Sequence, residues 1–226
     1  MKFGLGVFAK TIGLSPVKTR LARDIGPANA QAFYRLSVAA VAETVDTLAR
    51  GGQRDVHPYW AVAEAGAVSL AQWRAFPALW TGHGPLGERL NAVYSALARS
   101  HDGVILMGTD SPQLTPAAIT QAIERLERRP DCCVIGPALD GGFYLFAAGI
   151  ALAAECWTQV RYSAATTRDE LVSSIEAHGG RVVALPARTD TDSVADLERL
   201  RAELTGLASP TRSQRRLIDW LAAFAP

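Results

Sequence analysis

Gly103-Val104-Ile105-Leu106-Met107-Gly108-Thr109-Asp110-Ser111-Pro112 is the stretch whose reading decides the fold. Val104 to Met107 are apolar without a break, which predicts a strand buried on both faces, as in the middle of a parallel sheet. The run stops at Gly108, and the carboxylate of Asp110 follows where such a strand would leave the sheet. Open α/β sheets bind ligands outside the carboxyl ends of their strands. An Asp there can hold a hard cation such as Mg²⁺, or it can do no more than cap a turn; the motif alone is compatible with both. Pro112 cannot continue a ladder, and Thr115-Pro116 predicts the opening of a helix that runs to Arg128.

Toward the N-terminus, Lys2 to Phe8 alternates small and large apolar residues and predicts a first strand. A turn-rich loop follows, Thr11-Ile12-Gly13-Leu14-Ser15-Pro16, and with it Lys10, Lys18, Arg20 and Arg23. Loops after first strands commonly cradle phosphates, and Lys and Arg supply charge where backbone amides do not reach. The plain alternative is a solvated basic loop. Pro27 to Leu48 carries apolar residues at helical spacing, and Gly51-Gly52 ends it. His57 to Ala63 predicts the second strand and Ser69 to Phe76 a short helix. Next comes Thr81-Gly82-His83-Gly84-Pro85, a tight loop that lets backbone approach a ligand, and a helix from Leu86 to Ala98 with Gly87, Glu88 and Arg89 in its first turns. Arg89 there is a candidate for substrate or for a structural ion pair.

Toward the C-terminus, Cys132 to Ile135 predicts another buried strand. It runs into Ala138-Leu139-Asp140-Gly141-Gly142-Phe143. Asp-Gly-Gly between apolar runs fits a hairpin turn. It fits equally a ligand-facing loop in which Gly141 and Gly142 admit substrate and Asp140 binds a hydroxyl or amine. Helices are expected over Ile150 to Trp157 and Thr166 to His178, and a strand over Arg181 to Leu185. In Asp190-Thr191-Asp192-Ser193 the two carboxylates point the same way if the backbone is extended, so both can reach one ion. Turn and cap chemistry is the alternative, with Ser193 as N-cap of a helix to Leu204. Ser209 to Pro226 reads as an amphipathic helix that docks on the domain or makes a homodimer contact. The organisation is therefore one domain over residues 1–205 and a C-terminal helix over 206–226.

A net charge of +1 gives no global case for nucleic acid, so phosphate binding must come from a local cluster. Cys132, Cys133 and Cys156 are odd in number and lie in apolar surroundings, which suits reduced thiols of a cytoplasmic protein. No apolar run approaches the ~20 residues of a membrane span. Alternating strands and helices predict an α/β fold, a three-layer α/β/α sandwich on a mostly parallel mixed sheet.

Six motifs occur in series: Phe8-Ala9-Lys10 with Lys18-Thr19-Arg20-Leu21, Leu86-Gly87-Glu88-Arg89-Leu90, Gly108-Thr109-Asp110-Ser111-Pro112, Gly136-Pro137-Ala138, Asp140-Gly141-Gly142-Phe143-Tyr144-Leu145 and Asp190-Thr191-Asp192. Over roughly residues 2 to 204 they resemble the bacterial family called radical-SAM/selenodomain-associated transferase 1, similar to nucleotide-diphospho-sugar transferases of the GT-A fold. The resemblance implies a transferase that uses Mg²⁺ or Mn²⁺, a nucleotide or nucleotide-sugar donor and a small-molecule acceptor. In it Asp110 would be the metal ligand and Asp190 or Asp192 the second. Lys10, Lys18 and Arg20 would hold donor phosphates, Gly87 and Arg89 would lie against substrate, and Asp140, Gly141 and Gly142 would line the acceptor side. Glycosyl transfer is the first expectation. Nucleotidyl transfer, as in the related guanylyltransferases, is the second, and a non-catalytic nucleotide-binding module the third.

Overall fold

The computed structural model describes residues 1–224; Ala225 and Pro226, the end of the expected C-terminal helix, lie outside the described residues. Among the described residues seven strands form one sheet: β1 (Lys2–Ala9), β2 (Asp55–Val62), β3 (Ala78–Trp80), β4 (Gly103–Met107), β5 (Cys132–Pro137), β6 (Phe143–Ala148) and β7 (Arg181–Ala184). Their order is β3-β2-β1-β4-β6-β5-β7, with β6 antiparallel to both neighbours and every other pairing parallel. The expected mostly parallel mixed sheet is what forms. From β1 the chain winds outward through β2 and β3, then returns to place β4 on the other side of β1. The seam between β1 and β4, with Val7 opposite Met107, is thus the point where strand order reverses, and the crevice at its carboxyl end is where such sheets take ligands.

Among the described residues the α-helices are α1 (Thr19–Ile25), α2 (Pro27–Arg50), α3 (Leu86–Ala98), α4 (Pro116–Arg128), α5 (Glu155–Thr158), α6 (Thr167–Ala177), α7 (Val194–Thr205) and α8 (Arg212–Ala223). Period-two alternation splits β4 between two cores. Ile105 and Met107 pack with α2 and α4, whereas Val104 and Leu106 pack with α3, α5 and α6. A third core lies off the sheet, where Leu21 of α1, Phe33 of α2, Leu200 and Leu204 of α7, and Leu217 and Leu221 of α8 meet. None of the described helices is long and apolar enough to cross a membrane.

Two helices expected from sequence come out differently. Ser69 to Phe76 is not a helix: 3₁₀ turns at Ala65–Ala67 and Ala71–Trp73 flank an extended Leu70. Trp73 and Phe76 are thereby seated on Trp60, with ring centroids 5.0 and 5.4 Å away. The expected helix over Ile150 to Trp157 forms only as the single turn of α5 (Glu155–Thr158), while the Ile150 carbonyl accepts from the Tyr94 hydroxyl. The strand β3 and the helix α1 carry too little periodicity to be read from sequence. Cys132, Cys133 and Cys156 are buried free thiols, each raised in pKa chiefly by burial.

Candidate active site at the carboxyl edge of the sheet

Met107 is the last residue of β4, and the chain leaves the sheet through Gly108-Thr109-Asp110. The exit is tied down on several sides. The Thr109 carbonyl accepts from Ser37 of α2. The Asp110 carbonyl accepts from the Thr191 amide at 3.1 Å. Ser111 Oγ and Gln113 Nε2 donate to the Thr189 carbonyl at 3.1 and 2.7 Å. The Asp110 loop and the Asp190-Asp192 segment are therefore laced together by backbone and buried polar side chains. As a result, one carboxylate oxygen each of Asp110, Asp190 and Asp192 fall within 4.8 Å of one another.

The Asp190-Asp192 segment follows β7 and ends at Ser193, the N-cap of α7. Ser193 and Asp196 form a capping box in which the Asp196 carboxylate accepts from the Ser193 amide at 2.8 Å and from the Asp192 amide at 3.1 Å. So Asp196 does the capping, and the side chains of Asp190 and Asp192 are left for other partners.

Lys18 is one such partner. It precedes α1 in a left-handed backbone conformation (φ 46°, ψ 46°), and its side chain is 3% exposed. Its ammonium lies 2.7 Å from Asp110 Oδ1 and 3.2 Å from Asp192 Oδ1, donates to the Thr191 carbonyl, and sits 5.9 Å from the Phe33 ring centroid. Arg20 Nη1, on an exposed side chain, is 3.3 Å from Asp192 Oδ2. Burial pushes the Lys18 pKa down, but the charges of Asp110, Asp190 and Asp192 outweigh burial and hold it above the ordinary lysine value. Asp190 moves the other way for a carboxylate. Burial first, then the Asp110 charge, raise it to about 8 against the opposing pull of Lys18. At Asp190 the Lys18 ammonium does not outweigh burial and the neighbouring carboxylates.

Lys10 is exposed at the end of β1, and its backbone is clamped by Tyr34, whose hydroxyl accepts from the Lys10 amide at 2.7 Å and donates to the Lys10 carbonyl at 2.9 Å. Asp140 lies in the hairpin between β5 and β6, so the turn reading of Asp-Gly-Gly is correct locally. Because β6 is reversed, that hairpin also emerges at the carboxyl edge, and the Asp140 charge is among those acting on Asp190. Asp140 Oδ1 accepts from the Gly142 amide at 2.9 Å. Gly141 has φ 92°, and a Cβ there would run into the Ala165 carbonyl. A recess of about 280 Å³ opens beside it, lined by Ala138, Asp140, Gly141, Ala165 and Arg168.

The other two expected contacts have structural partners. Arg89 donates to the Gly84 carbonyl at 2.9 Å and the Ala63 carbonyl at 3.3 Å, holding the glycine-rich loop onto the end of β2. Gly87 is buried, and a Cβ on it would strike the Trp157 carbonyl. Two residues carried no signal in sequence. Tyr34 reads as one more buried position of α2, and Gln214 as one polar residue in the basic N-terminal half of α8. Yet Gln214 Nε2 donates to the Pro112 and Leu114 carbonyls at 2.9 and 3.0 Å, holding the Asp110 exit from behind.

The fold has solved counterparts. A protein provisionally described as a nucleotide-diphospho-sugar transferase, from Desulfovibrio desulfuricans, aligns with TM-score 0.81 at 24% identity, covering 99% of this chain and 96% of that one. A cytidylyltransferase from Leptospira borgpetersenii aligns with TM-score 0.56 at 14% identity, over 99% and 94% of the two chains. CMP:2-keto-3-deoxy-manno-octonic acid synthetase complexed with CTP aligns at 0.52 and 14%, over 91% and 99%. At these identities the likeness is one of fold. No curated protein matches the sequence. Residues 38–164 match the family described as an uncharacterized protein conserved in bacteria (DUF2064), and the chain belongs to that family.

Proposed function

We propose that this chain is a divalent-metal-dependent transferase acting on a nucleotide-activated donor, and that the group it moves is a sugar. The observation that carries the reading is the meeting of Asp110, Asp190 and Asp192 within 4.8 Å beside Lys18 and Arg20, at the switch point of the sheet. The donor set fits a hard dication: all three groups offer carboxylate oxygen. The crowding of these acids, which raises Asp190 to about 8, is the strain that Mg²⁺ or Mn²⁺ would relieve. When bound, such an ion neutralises the charge that builds on a departing diphosphate.

The remaining work falls to side chains. Lys18 and Arg20 bind donor phosphates, Arg20 with the planar fork suited to them, and Lys10 adds charge at the rim. Asp140, fixed through Oδ1 by Gly142, keeps Oδ2 for the acceptor hydroxyl and takes its proton as the oxygen attacks the anomeric carbon. The recess beside Gly141 gives the acceptor room.

Nucleotidyl transfer is the second reading, in which a phosphorylated acceptor attacks the α-phosphate and pyrophosphate leaves. Two cations converging on one carboxylate suit a triphosphate, and the cytidylyltransferases share the fold. Thermal shift with a panel of nucleoside triphosphates and sugar nucleotides, with and without Mg²⁺, separates the two. Stabilisation by sugar nucleotides alone supports glycosyl transfer, stabilisation by triphosphates alone supports the second reading, and no shift with any of them removes both. Asp110→Ala is expected to abolish the Mg²⁺-dependent part of the shift; an undiminished shift takes Asp110 out of the metal site.

A further inference from the structure

We infer that Lys18 and Arg20 form a latch that keeps the three aspartates from taking a metal ion until a phosphate-bearing ligand draws the two cations away, so that donor binding precedes metal binding. The inference rests on the metal site proposed above and adds an order of events to it.

Both oxygens of Asp192 are occupied, Oδ1 by Lys18 at 3.2 Å and Oδ2 by Arg20 at 3.3 Å, and Asp110 Oδ1 is occupied by Lys18 at 2.7 Å. A magnesium-sized ion sits about 2.1 Å from its ligand oxygens. Sharing Asp110 Oδ1 and Asp192 Oδ1 with it, the ammonium, whose side chain is 3% exposed, would be a like charge in near contact with a dication. Metal and latch therefore compete for Asp192, both of whose oxygens are taken, and for Asp110 Oδ1.

The latch is built to open. Lys18 meets the aspartates through a flexible four-carbon stem, and no side chain caps the helix that starts after it. The Arg20 side chain is 59% exposed, so a phosphate can reach it without unfolding anything. Phosphate oxygens offer both cations charge-assisted hydrogen bonds in exchange for those they give up. Once Lys18 and Arg20 turn to the phosphates, Asp110 and Asp192 regain free oxygens at the place where the phosphates' own charge has arrived. Donor and ion then favour each other's binding, as coupled sites must.

The test measures Mn²⁺ binding to the full chain without nucleotide, from the electron paramagnetic resonance signal of the free ion. Lys18→Met is expected to bind Mn²⁺ about tenfold more tightly than the unsubstituted protein, or more, and Arg20→Met a few-fold more tightly. Inorganic phosphate is expected to tighten Mn²⁺ binding in the unsubstituted protein and to have no such effect in Lys18→Met. Equal or weaker Mn²⁺ binding in both variants overturns the latch and leaves Lys18 a structural counter-ion. Should Lys18→Met fail to fold, Arg20→Met decides, because its exposed side chain is not needed for packing. Tighter Mn²⁺ binding in the variants with no response to any nucleotide would keep the latch and remove the donor reading. A nucleotide response with Mn²⁺ binding unchanged by either substitution would remove the latch alone.

Discussion

Asp190 is the residue on which electrostatic strain in this protein concentrates. Its partial burial and the neighbouring Asp110 carboxylate keep it protonated up to about pH 8, whereas in the unfolded chain it ionises in the ordinary carboxylate range. Across that interval the folded state holds one proton more than the unfolded state, so this group makes stability fall as pH rises, and the fall ends once the folded group has ionised. The melting temperature of the ion-free protein is therefore expected to drop by several degrees between about pH 5 and about pH 8 through this group. Asp190→Asn, which keeps the shape and removes the titration, should flatten that difference, and so should added Mg²⁺. Parallel pH profiles for the two proteins would mean that Asp190 is not held protonated. In the sequence Asp190 is one half of an Asp-x-Asp pair, whose geometry can be guessed from an extended backbone. Its raised pKa cannot, because that needs burial and the charge of Asp110, which is distant in the chain.

Among the elements, α8 shows how a helix outside the sheet bears on the site. Its N-terminus is fastened to α2, where the Glu43 carboxylate accepts from the Arg212 and Ser213 amides at 3.2 and 2.6 Å, an anion placed at the positive end of the helix. One turn later Gln214 faces inward, 1% exposed, and satisfies the carbonyls on either side of Gln113. Gln214→Leu keeps the bulk but leaves the buried Pro112 carbonyl without a donor and the Leu114 carbonyl with the Thr44 hydroxyl alone, so it should cost about 1–3 kcal/mol in urea denaturation. A cost below half a kilocalorie would mean water replaces the amide. Apolar runs and helical spacing made most of the elements readable, β4 and α4 above all, because their burial is written in the residues themselves. What was not readable depended on partners. The three residues of β3 become a strand only by pairing with β2, α1 is charged on the side that faces the aspartates, and the reversed direction of β6 follows from a hairpin whose local sequence also fits an open loop.

At the scale of the whole molecule, the acidic and basic parts of the site share one support. Lys18 and Arg20 lie at the start of α1, Asp190 and Asp192 lead into α7, and the Asp110 exit is held by α8. These three helices pack together, with Phe33 of α2, in the third core and not on the sheet. The position of each charged group relative to the others is thus set by a small apolar cluster off the main body. A cavity in that cluster should therefore loosen the site in a way that an equal cavity elsewhere does not. Leu200→Ala in α7 and Leu171→Ala in α6 both truncate a leucine with 0% exposure. Each is expected to cost about 2–5 kcal/mol of stability. Only Leu200→Ala should weaken Mn²⁺ binding measured in the presence of phosphate, well below the melting temperature of either variant, because α6 packs against the opposite face through Leu171 and Ile175. If both variants bind Mn²⁺ as the unsubstituted protein does, the aspartates are held by their own hydrogen bonds, and the third core contributes stability without positioning the site. If both lose binding equally, the loss follows global stability, and the proposed division of labour between the cores is wrong.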